Sequence, residues 1–509
     1  MVASGILASR LVGFVRSAVV AHFLGNGAVA GAWTAAFRIP NFLQNLFGEG
    51  ALSASFIPVY AQLRQQGEDD AARRVAGAVA ALLGLVTALL VALGVLATPV
   101  LIDLIAPGFS GSTRDLTIRL VRIAFPGTGL LVLSAWCLGV LNSHRRFFLS
   151  YAAPVAWNVA IIIAFVLARG VTDLPRLAEL AMWGAVAGSL LQLLVQLPSV
   201  LGLLGGLRLS LRDRSPELRT VIRNFVPVAT ARGVTQVSSY VDTLIASLIA
   251  ASAVASLGYA QLISTLPVSL FGMSVSASEL PEMASASGSD EEVAAHVRGR
   301  LDRGLAHVAY FVVPSAIAFL AIGHVLAALL FESGRFSRAD SLTVWSILGA
   351  SSVGLLAATM GRLYSSSFYA LRDTRSPLRY ALARVAIGLV LGWLLGVRLP
   401  PALGIAPRWA TAGLALAAAI AACVEFGLLR RGMNGRVGRT GLGGGFLARI
   451  VLASVLAAVA AWGVLAAFPL LGPKLGGIAV AGTFGIAYLF GTYLLAVPQA
   501  RGLLDRIRR

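Results

Sequence analysis

Charged residues are scarce in this sequence, and their scarcity excludes a soluble protein. Of the 509 residues, 12% are Asp, Glu, Lys or Arg, whereas 58% are hydrophobic and the mean hydropathy is +0.83. Soluble domains have roughly 25% charged residues. The composition therefore indicates a protein that is embedded in a membrane.

Cysteine, histidine and clustered carboxylates are also scarce. The two cysteines, Cys137 and Cys423, lie inside apolar segments, and the five histidines show no metal-ligand spacing. We therefore expect neither a disulfide framework nor a metal site. The acidic stretches "GEDD" at Gly67 and "SDEE" at Ser289 resemble solvated connectors, and no Walker A motif is present. The sequence thus predicts no catalytic residue and no ATP hydrolysis.

Long apolar runs predict an all-α polytopic membrane protein. At about 20 residues per span, the runs correspond to about fourteen transmembrane helices. The first run carries two arginines and does not have the pattern of a cleaved signal peptide. The predicted spans are residues 2–24, 31–62, 76–106, 118–142, 148–168, 178–204, 220–249, 255–283, 303–331, 341–370, 378–397, 409–429, 447–468 and 476–497.

The net charge of +19 follows the predicted topology. With an even number of spans both termini lie on one side, and well over half of the 41 Lys and Arg residues fall on that side. Positive residues concentrate in cytoplasmic loops. This uneven distribution of Lys and Arg predicts that both termini are cytoplasmic. It also explains the net positive charge without a nucleic-acid partner.

Some arginines fall inside predicted spans. A charged side chain at the bilayer centre costs at least ~2.5–3.5 kcal/mol on insertion scales, so each needs a physical reason. They either reach the headgroups, pair with acids such as Glu49, Asp242 or Glu425, or line a polar cavity. They are Arg10, Arg16, Arg38, Arg232, Arg362 and Arg384.

An internal repeat at an offset of 227 residues predicts two lobes of six helices. After six spans the second lobe starts on the same side, so the repeat is parallel, and such transporters bind substrate between the lobes. The predicted domains are an N-terminal lobe (1–206), a C-terminal lobe (207–432), and two extra helices with a basic tail (433–509). The matching pairs are Pro40 and Pro267, Phe109 and Phe336, and Arg145 and Arg372.

Five motifs carry a resemblance to a known family. They are "SRLVGFVR" at Ser9, "FRIPNFLQNLFGEGALSASFIPVYA" at Phe37, "GVLNSHRRF" at Gly139, "FESGRFS" at Phe331 and "FYALRDTRSP" at Phe368. In this order they resemble the MurJ/MviN family, within the larger group of multidrug, oligosaccharidyl-lipid and polysaccharide exporters. The resemblance covers essentially the whole chain and includes the arrangement of two six-helix lobes plus two helices.

The resemblance implies a flippase of the bacterial cytoplasmic (inner) membrane. Members of the family move lipid II, an undecaprenyl-diphosphate-linked disaccharide-pentapeptide, from the cytoplasmic to the outer leaflet for peptidoglycan synthesis. By this resemblance we expect alternating access without a cofactor, driven by an ion gradient or by the membrane potential. We also expect a functional monomer that contacts the cell-wall synthesis machinery.

The resemblance also implies site residues. The family's arginines that match Arg10 and Arg16 line the cavity between the lobes, where guanidinium groups can hold the diphosphate. Glu49 is the best acidic partner for such an arginine, although polar contact between helices is the alternative. The predicted substrate-binding residues are Arg10, Arg16, Arg38, Glu49, Arg232 and Arg362.

Two positions depart from the family pattern. The family usually has an arginine near Gln44 in the second helix and near Leu262 in the eighth. Arg232, where the family is usually apolar, either replaces a lost cavity cation or reaches the headgroups at the cytoplasmic end. The departures leave alternatives open, namely a flippase for another polyprenyl-linked glycan or a MATE-like multidrug antiporter.

Overall fold

The computed structural model describes residues 2–468 and 470–500, and these residues are predominantly helical. Two short π-helical segments, Val268–Met273 and Leu394–Arg398, interrupt the α-helices. The α-helices in chain order are α1 (Val2–Leu24), α2 (Ala28–Phe47), α3 (Glu49–Gln65), α4 (Asp69–Ile105), α5 (Gly111–Ser143), α6 (Phe147–Leu167), α7 (Leu174–Leu204), α8 (Pro216–Ile249), α9 (Ala251–Pro267), α10 (Ser274–Ala284), α11 (Asp290–Phe331), α12 (Arg338–Ala370), α13 (Arg375–Trp393), α14 (Leu399–Ala402), α15 (Pro407–Val437), α16 (Gly444–Ala467) and α17 (Pro473–Leu494).

The protein is a multi-pass membrane protein. Within the described part of the chain, eleven helical segments are long and apolar enough to cross a bilayer. Their outer faces carry large apolar side chains: Leu96 and Val100 of α4 are 76% and 70% exposed. Extended apolar surface of this kind requires an apolar surrounding. The all-α membrane class predicted from the sequence is thereby confirmed.

Three predicted spans are not among these eleven, although all three are helical. Residues 2–24 coincide with α1, residues 31–62 with α2 and α3, and residues 220–249 with α8. These spans contain four of the arginines on which the predicted site depends, and polar residues lower the hydropathy of a helix. The count of about fourteen spans stays a prediction.

Two predicted spans are interrupted. The run 31–62 forms two helices that separate at Gly48, where a Cβ atom would lie 2.1 Å from the carbonyl oxygen of Gln44. Only glycine fits so close a backbone approach. Pro40 remains inside α2. The run 255–283 changes to π-helix directly after Pro267, whose missing N–H removes one helical hydrogen bond.

The chain divides into two compact units, Met1–Ala255 and Ser256–Arg509. In the first unit, α5 is central and packs on α2, α3, α4 and α7, while α6 joins α1 to α7. Helix α8 packs on α2, α3 and α4. The unit thus brings residues of α1, α2 and α8 into one packed group with α5, α6 and α7.

In the second unit, α12 is central and packs on α11 and α15. The pair α16–α17 packs on α11, which kinks at Ile322. The indole N–H of Trp462 donates to the carbonyl oxygen of Ala321 at 3.0 Å, next to the kink. A kink exposes carbonyl groups that need new donors.

The predicted boundaries at 206/207 and 432/433 stay predictions.

The two units share local geometry at the repeat offset. Helices α5 and α12 both have 33 residues, and two residues after the end of each lies an arginine with positive φ, 58° at Arg145 and 59° at Arg372. The next N–H in each case returns to a helix carbonyl at 2.9 Å, from Arg146 to Leu141 and from Asp373 to Phe368. These are Schellman-type helix ends, which glycine usually occupies. The same unusual turn thus occurs at equivalent points of the chain.

We expect Arg145→Val and Arg372→Val each to lower the stability by about 1–2 kcal/mol, because a β-branched side chain is strained at positive φ. Arg145→Gly and Arg372→Gly are the matched controls and should equal or exceed the parent in stability. Thermal unfolding of the purified protein in detergent measures both effects. An equal loss of stability in the valine and glycine variants would show that the arginine side chains, and not the backbone turns, determine the stability.

Asp373 closes the turn between α12 and α13. Its carboxylate accepts hydrogen bonds from the N–H groups of Arg375 and Ser376 at 2.9 and 3.0 Å, and from the Ser376 hydroxyl at 2.6 Å. It also pairs with the guanidinium of Arg436 on α15. The Ser376 hydrogen bonds, helped by the Arg436 charge, lower the pKa of Asp373 to about 2. The ionised carboxylate therefore stabilises the folded turn.

This lowered pKa predicts a pH dependence of stability. An unfolded aspartate titrates near pH ~3.9, so the contribution is fully present above that pH and is lost as the pH falls towards the folded value. The parent should therefore lose its advantage in Tm over Asp373→Asn as the pH falls from about 4 to about 2. A constant difference in Tm across this range would contradict the assigned ionisation.

Candidate functional site

Arg16 lies on α1 with its guanidinium against an aromatic ring. The guanidinium carbon is 5.0 Å from the centre of the Trp157 ring on α6, and the side chain is half-buried. A cation over the face of tryptophan within about 6 Å is electrostatically attracted by the ring. No carboxylate pairs with Arg16 in the described part of the chain. The contact that the structure describes for the Arg16 guanidinium is therefore with an aromatic ring.

Trp157 is held in place from two sides. Its indole N–H donates to the carbonyl oxygen of Ala185 on α7 at 3.1 Å. Its ring meets Phe37 of α2 edge-on, with ring centres 6.0 Å apart. Sequence analysis did not single out Trp157, since a tryptophan in an apolar span is usually a packing residue. The structure places its ring against the Arg16 guanidinium.

Arg10 lies six residues before Arg16 on α1, which is about 120° around the helix. The Arg10 side chain is exposed, whereas that of Arg16 is half-buried. Between them, Gly13 faces Asn158 of α6, with the position of a Cβ 3.9 Å from the amide oxygen. The two arginines thus occupy different surroundings, as their spacing predicts.

Arg38 lies at the junction of α2 and α8. Its carbonyl oxygen accepts a hydrogen bond from the Tyr240 hydroxyl at 2.7 Å, and its guanidinium lies in the field of Asp242. The ring of Tyr240 also meets Phe42 edge-on at 5.8 Å. Pairing of an intramembrane arginine with Asp242 is one of the alternatives that the sequence leaves open, and it stays a prediction.

Arg362 belongs to a different group, in the second unit. It is exposed on α12 and lies in the field of Arg384 on α13 and Glu425 on α15. Arg384 and Glu425 form an ion pair at 3.0 Å. Two cations and one carboxylate leave this group with net positive charge. The predicted arginines thus lie in both units, and the structure brings Arg362 and Arg384 close together in the second.

Two predicted site residues have side chains outside the described part of the structure. Glu49 is the first residue of α3, and Arg232 lies within α8. Their roles as acidic partner and replacement cation stay predictions. Leu262 is a half-buried residue of α9.

Gln44, where the family usually has a cation, lines a cavity of about 630 Å³ in the first unit. Gln192 of α7 also lines it and is only 8% exposed. Gln192 is not among the predicted residues, although a glutamine in an apolar span indicates a buried polar contact, since a buried amide needs partners.

In the part of the chain that the structure describes, no group of three His, Cys, Asp or Glu side chains could hold a metal ion.

A family model and individual known proteins both match most of this chain. The model of the family described as "Lipid II flippase MurJ" matches residues 20–474. The "Probable lipid II flippase MurJ" of Rhizobium meliloti (strain 1021) is 33% identical over 431 residues, covering 83% of this chain and 77% of that protein. The "Lipid II flippase MurJ" of Burkholderia cenocepacia is 30% identical over 439 residues, covering 84% of this chain and 82% of that protein.

Solved structures show the same fold. A structure of "Lipid II flippase MurJ, inward closed conformation" superposes with a TM-score of 0.77 at 22% identity and covers 99% of both chains. An inward-facing MATE family multidrug transporter has a TM-score of 0.66 at 16% identity, covering 84% of this chain and 95% of its own. The MATE family transporter thus shares the fold alone. The family model and the sequence relatives, by contrast, all point to the lipid II flippase MurJ family. The chain belongs to the lipid II flippase MurJ family.

Proposed function

We propose that this protein flips lipid II from the cytoplasmic to the outer leaflet of a bacterial cytoplasmic membrane, and that Arg16 is a main contact for the diphosphate. Membership of a flippase family supports transport, not catalysis, as the predicted activity. The observation that carries the role of Arg16 is its geometry: a half-buried guanidinium on an aromatic face with no carboxylate partner among the described side chains.

The chemistry of the substrate fits this arrangement. A lipid-linked sugar diphosphate carries about two negative charges through a region of low dielectric, where an unpaired charge is costly. A guanidinium binds phosphate oxygens through paired N–H donors and stays charged at physiological pH. The ring of Trp157 covers only one face of Arg16, so the N–H edge remains able to bind.

The remaining candidates supply charge around this contact. Arg38 contributes a second cation, partly balanced by Asp242, in the same unit. Arg10 adds an exposed cation on α1, and Arg362 adds one beside the Arg384–Glu425 pair. Alternating access between two lobes, with a cationic cavity for the diphosphate, is the mechanism that this distribution of charge supports.

The energy source and partners follow from the same proposal. In the absence of a nucleotide-binding motif, the membrane potential or an ion gradient drives the cycle. The protein acts as a monomer and passes lipid II to the cell-wall synthesis machinery. Both termini lie in the cytoplasm, on the side that carries most of the Lys and Arg residues.

Rescue of growth tests the function. Expression of this chain in bacteria depleted of their own MurJ-type flippase should restore growth, and Arg16→Ala should abolish rescue at unchanged protein level. Loss of a charge-assisted contact of roughly 1.5–3 kcal/mol lowers transport by about tenfold or more. Failure of the well-expressed parent to rescue would favour another polyprenyl-linked glycan, which the uncharged Gln44 and Leu262 keep as the second candidate.

Conservative variants test the geometry of Arg16. Arg16→Lys keeps the charge but loses the paired donors, so we expect rescue weaker than the parent and stronger than Arg16→Ala. Trp157→Leu should weaken rescue severalfold because the cation–π contact is lost, whereas the control Trp157→Phe keeps an aromatic face. Identical behaviour of Trp157→Leu and Trp157→Phe would show that the ring does not orient Arg16.

Labelling with an impermeant thiol reagent tests the topology in a Cys423→Ala background, in which the other cysteine, Cys137, is buried. Ser210→Cys lies in the exposed basic loop after α7, and Thr172→Cys lies in an exposed loop on the opposite predicted side. From outside the cell, only the cysteine at position 172 should react. Labelling at position 210 would place that loop outside and reverse the topology.

A further inference from the structure

A neutral polar cavity lies in the first unit, separate from the Arg16 contact. It measures about 630 Å³ and is lined by residues of five helices, α2, α3, α5, α6 and α7. No charged side chain lines it within the part of the chain that the structure describes. Its polar lining consists of Gln44 and Asn45 of α2, Ser53 of α3, Ser134 of α5 and Gln192 of α7.

A buried chain of hydrogen bonds orients Gln192. The Gln192 amide N–H donates to the Ser134 hydroxyl at 3.0 Å, and that hydroxyl donates to the amide oxygen of Gln196 at 3.2 Å. All three side chains are at least nine-tenths buried. The direction of donation leaves the carbonyl oxygen of Gln192 as its free acceptor, since none of the described groups donates to it. The cavity thus has a fixed acceptor in its wall.

The cavity adjoins the diphosphate contact. Pro154 of α6 lines the cavity, and Trp157, which carries Arg16 on its face, is three residues later, about 4.5 Å along the helix. On α2, Phe37 meets Trp157, and Gln44 lies about 10 Å farther along the axis. The cavity lining thus begins about one helical turn from Trp157 on α6 and about two turns from Phe37 on α2.

We propose that this cavity binds the uncharged carbohydrate headgroup of the transported lipid, with Gln44 and Gln192 as its recognition residues. The proposal rests on the function proposed above. Amides and hydroxyls match the donors and acceptors of sugar hydroxyl and acetamido groups. Among the described side chains a diphosphate would find no cation in this cavity, and an apolar chain would leave the buried amide of Gln192 without a partner for its carbonyl oxygen. The sugar is the part of the substrate whose chemistry fits.

Binding of two probes to the purified protein tests this inference. The probes are lipid II and undecaprenyl diphosphate, which shares the lipid and the diphosphate but has no sugar. Gln192→Leu and Gln44→Leu should each weaken lipid II binding by about tenfold and leave undecaprenyl diphosphate binding unchanged, because only the sugar contact is lost. Gln44 is half-buried, so its variant avoids the buried hydrogen-bond chain.

Gln196→Leu is the matched control. It makes the same substitution one turn away, in the same hydrogen-bond chain, at a residue that does not line the cavity. Because Gln196 accepts a hydrogen bond from Ser134 but does not line the cavity, Gln196→Leu should weaken lipid II binding less than Gln192→Leu does and should leave undecaprenyl diphosphate binding unchanged. If Gln196→Leu weakens lipid II binding as much as Gln192→Leu does, the effect is structural and the inference is overturned.

Other outcomes also decide the question. Equal weakening of both probes by Gln192→Leu, or unchanged lipid II binding in Gln44→Leu, overturns sugar recognition. If Gln192→Leu does not fold, the Gln44→Leu result stands by itself. Failure of the proposed diphosphate contact would be seen separately, as undecaprenyl diphosphate binding that Arg16→Ala leaves intact.

Discussion

The contact between the Arg16 guanidinium and the Trp157 ring is the interaction on which the rest of the site depends. A charge inside the membrane must be stabilised, and an acidic partner would stabilise it by neutralising it. An aromatic face stabilises the cation and leaves its charge unbalanced. The ring must in turn be held, and its bond to Ala185 and its contact with Phe37 tie α1, α2, α6 and α7 into one arrangement.

In the second unit an arginine within a span is paired with a carboxylate, unlike Arg16 in the first. Arg384 is paired with Glu425 at 3.0 Å, so its charge serves the packing of α13 on α15. Arg362 lies in the field of that pair and carries the excess charge of the group. The paired Arg384 therefore differs from Arg16, whose described contact is with an aromatic ring.

Interrupted helices create the neutral cavity next to the cationic contact. The break at Gly48 ends α2 and starts α3, so Gln44 and Ser53 line one cavity from two helices. Broken helices are tolerated at membrane depth where the freed backbone faces protein or a water-filled cavity. The proposed diphosphate contact and the proposed sugar site would both lie in the first unit, as a substrate that joins a diphosphate to a sugar requires.

The helical membrane class and the arginines within spans follow from the sequence alone, because hydropathy is a local property. The equivalent turns at Arg145 and Arg372 follow from the repeat. The tertiary structure alone decided which side chains meet. Trp157 lies far along the chain from Arg16, and Gln192 from Ser134, so no local periodicity predicts these pairs. Whether a buried polar group is neutralised, oriented or left available depends on the helices packed around it, and only the folded chain determines that packing.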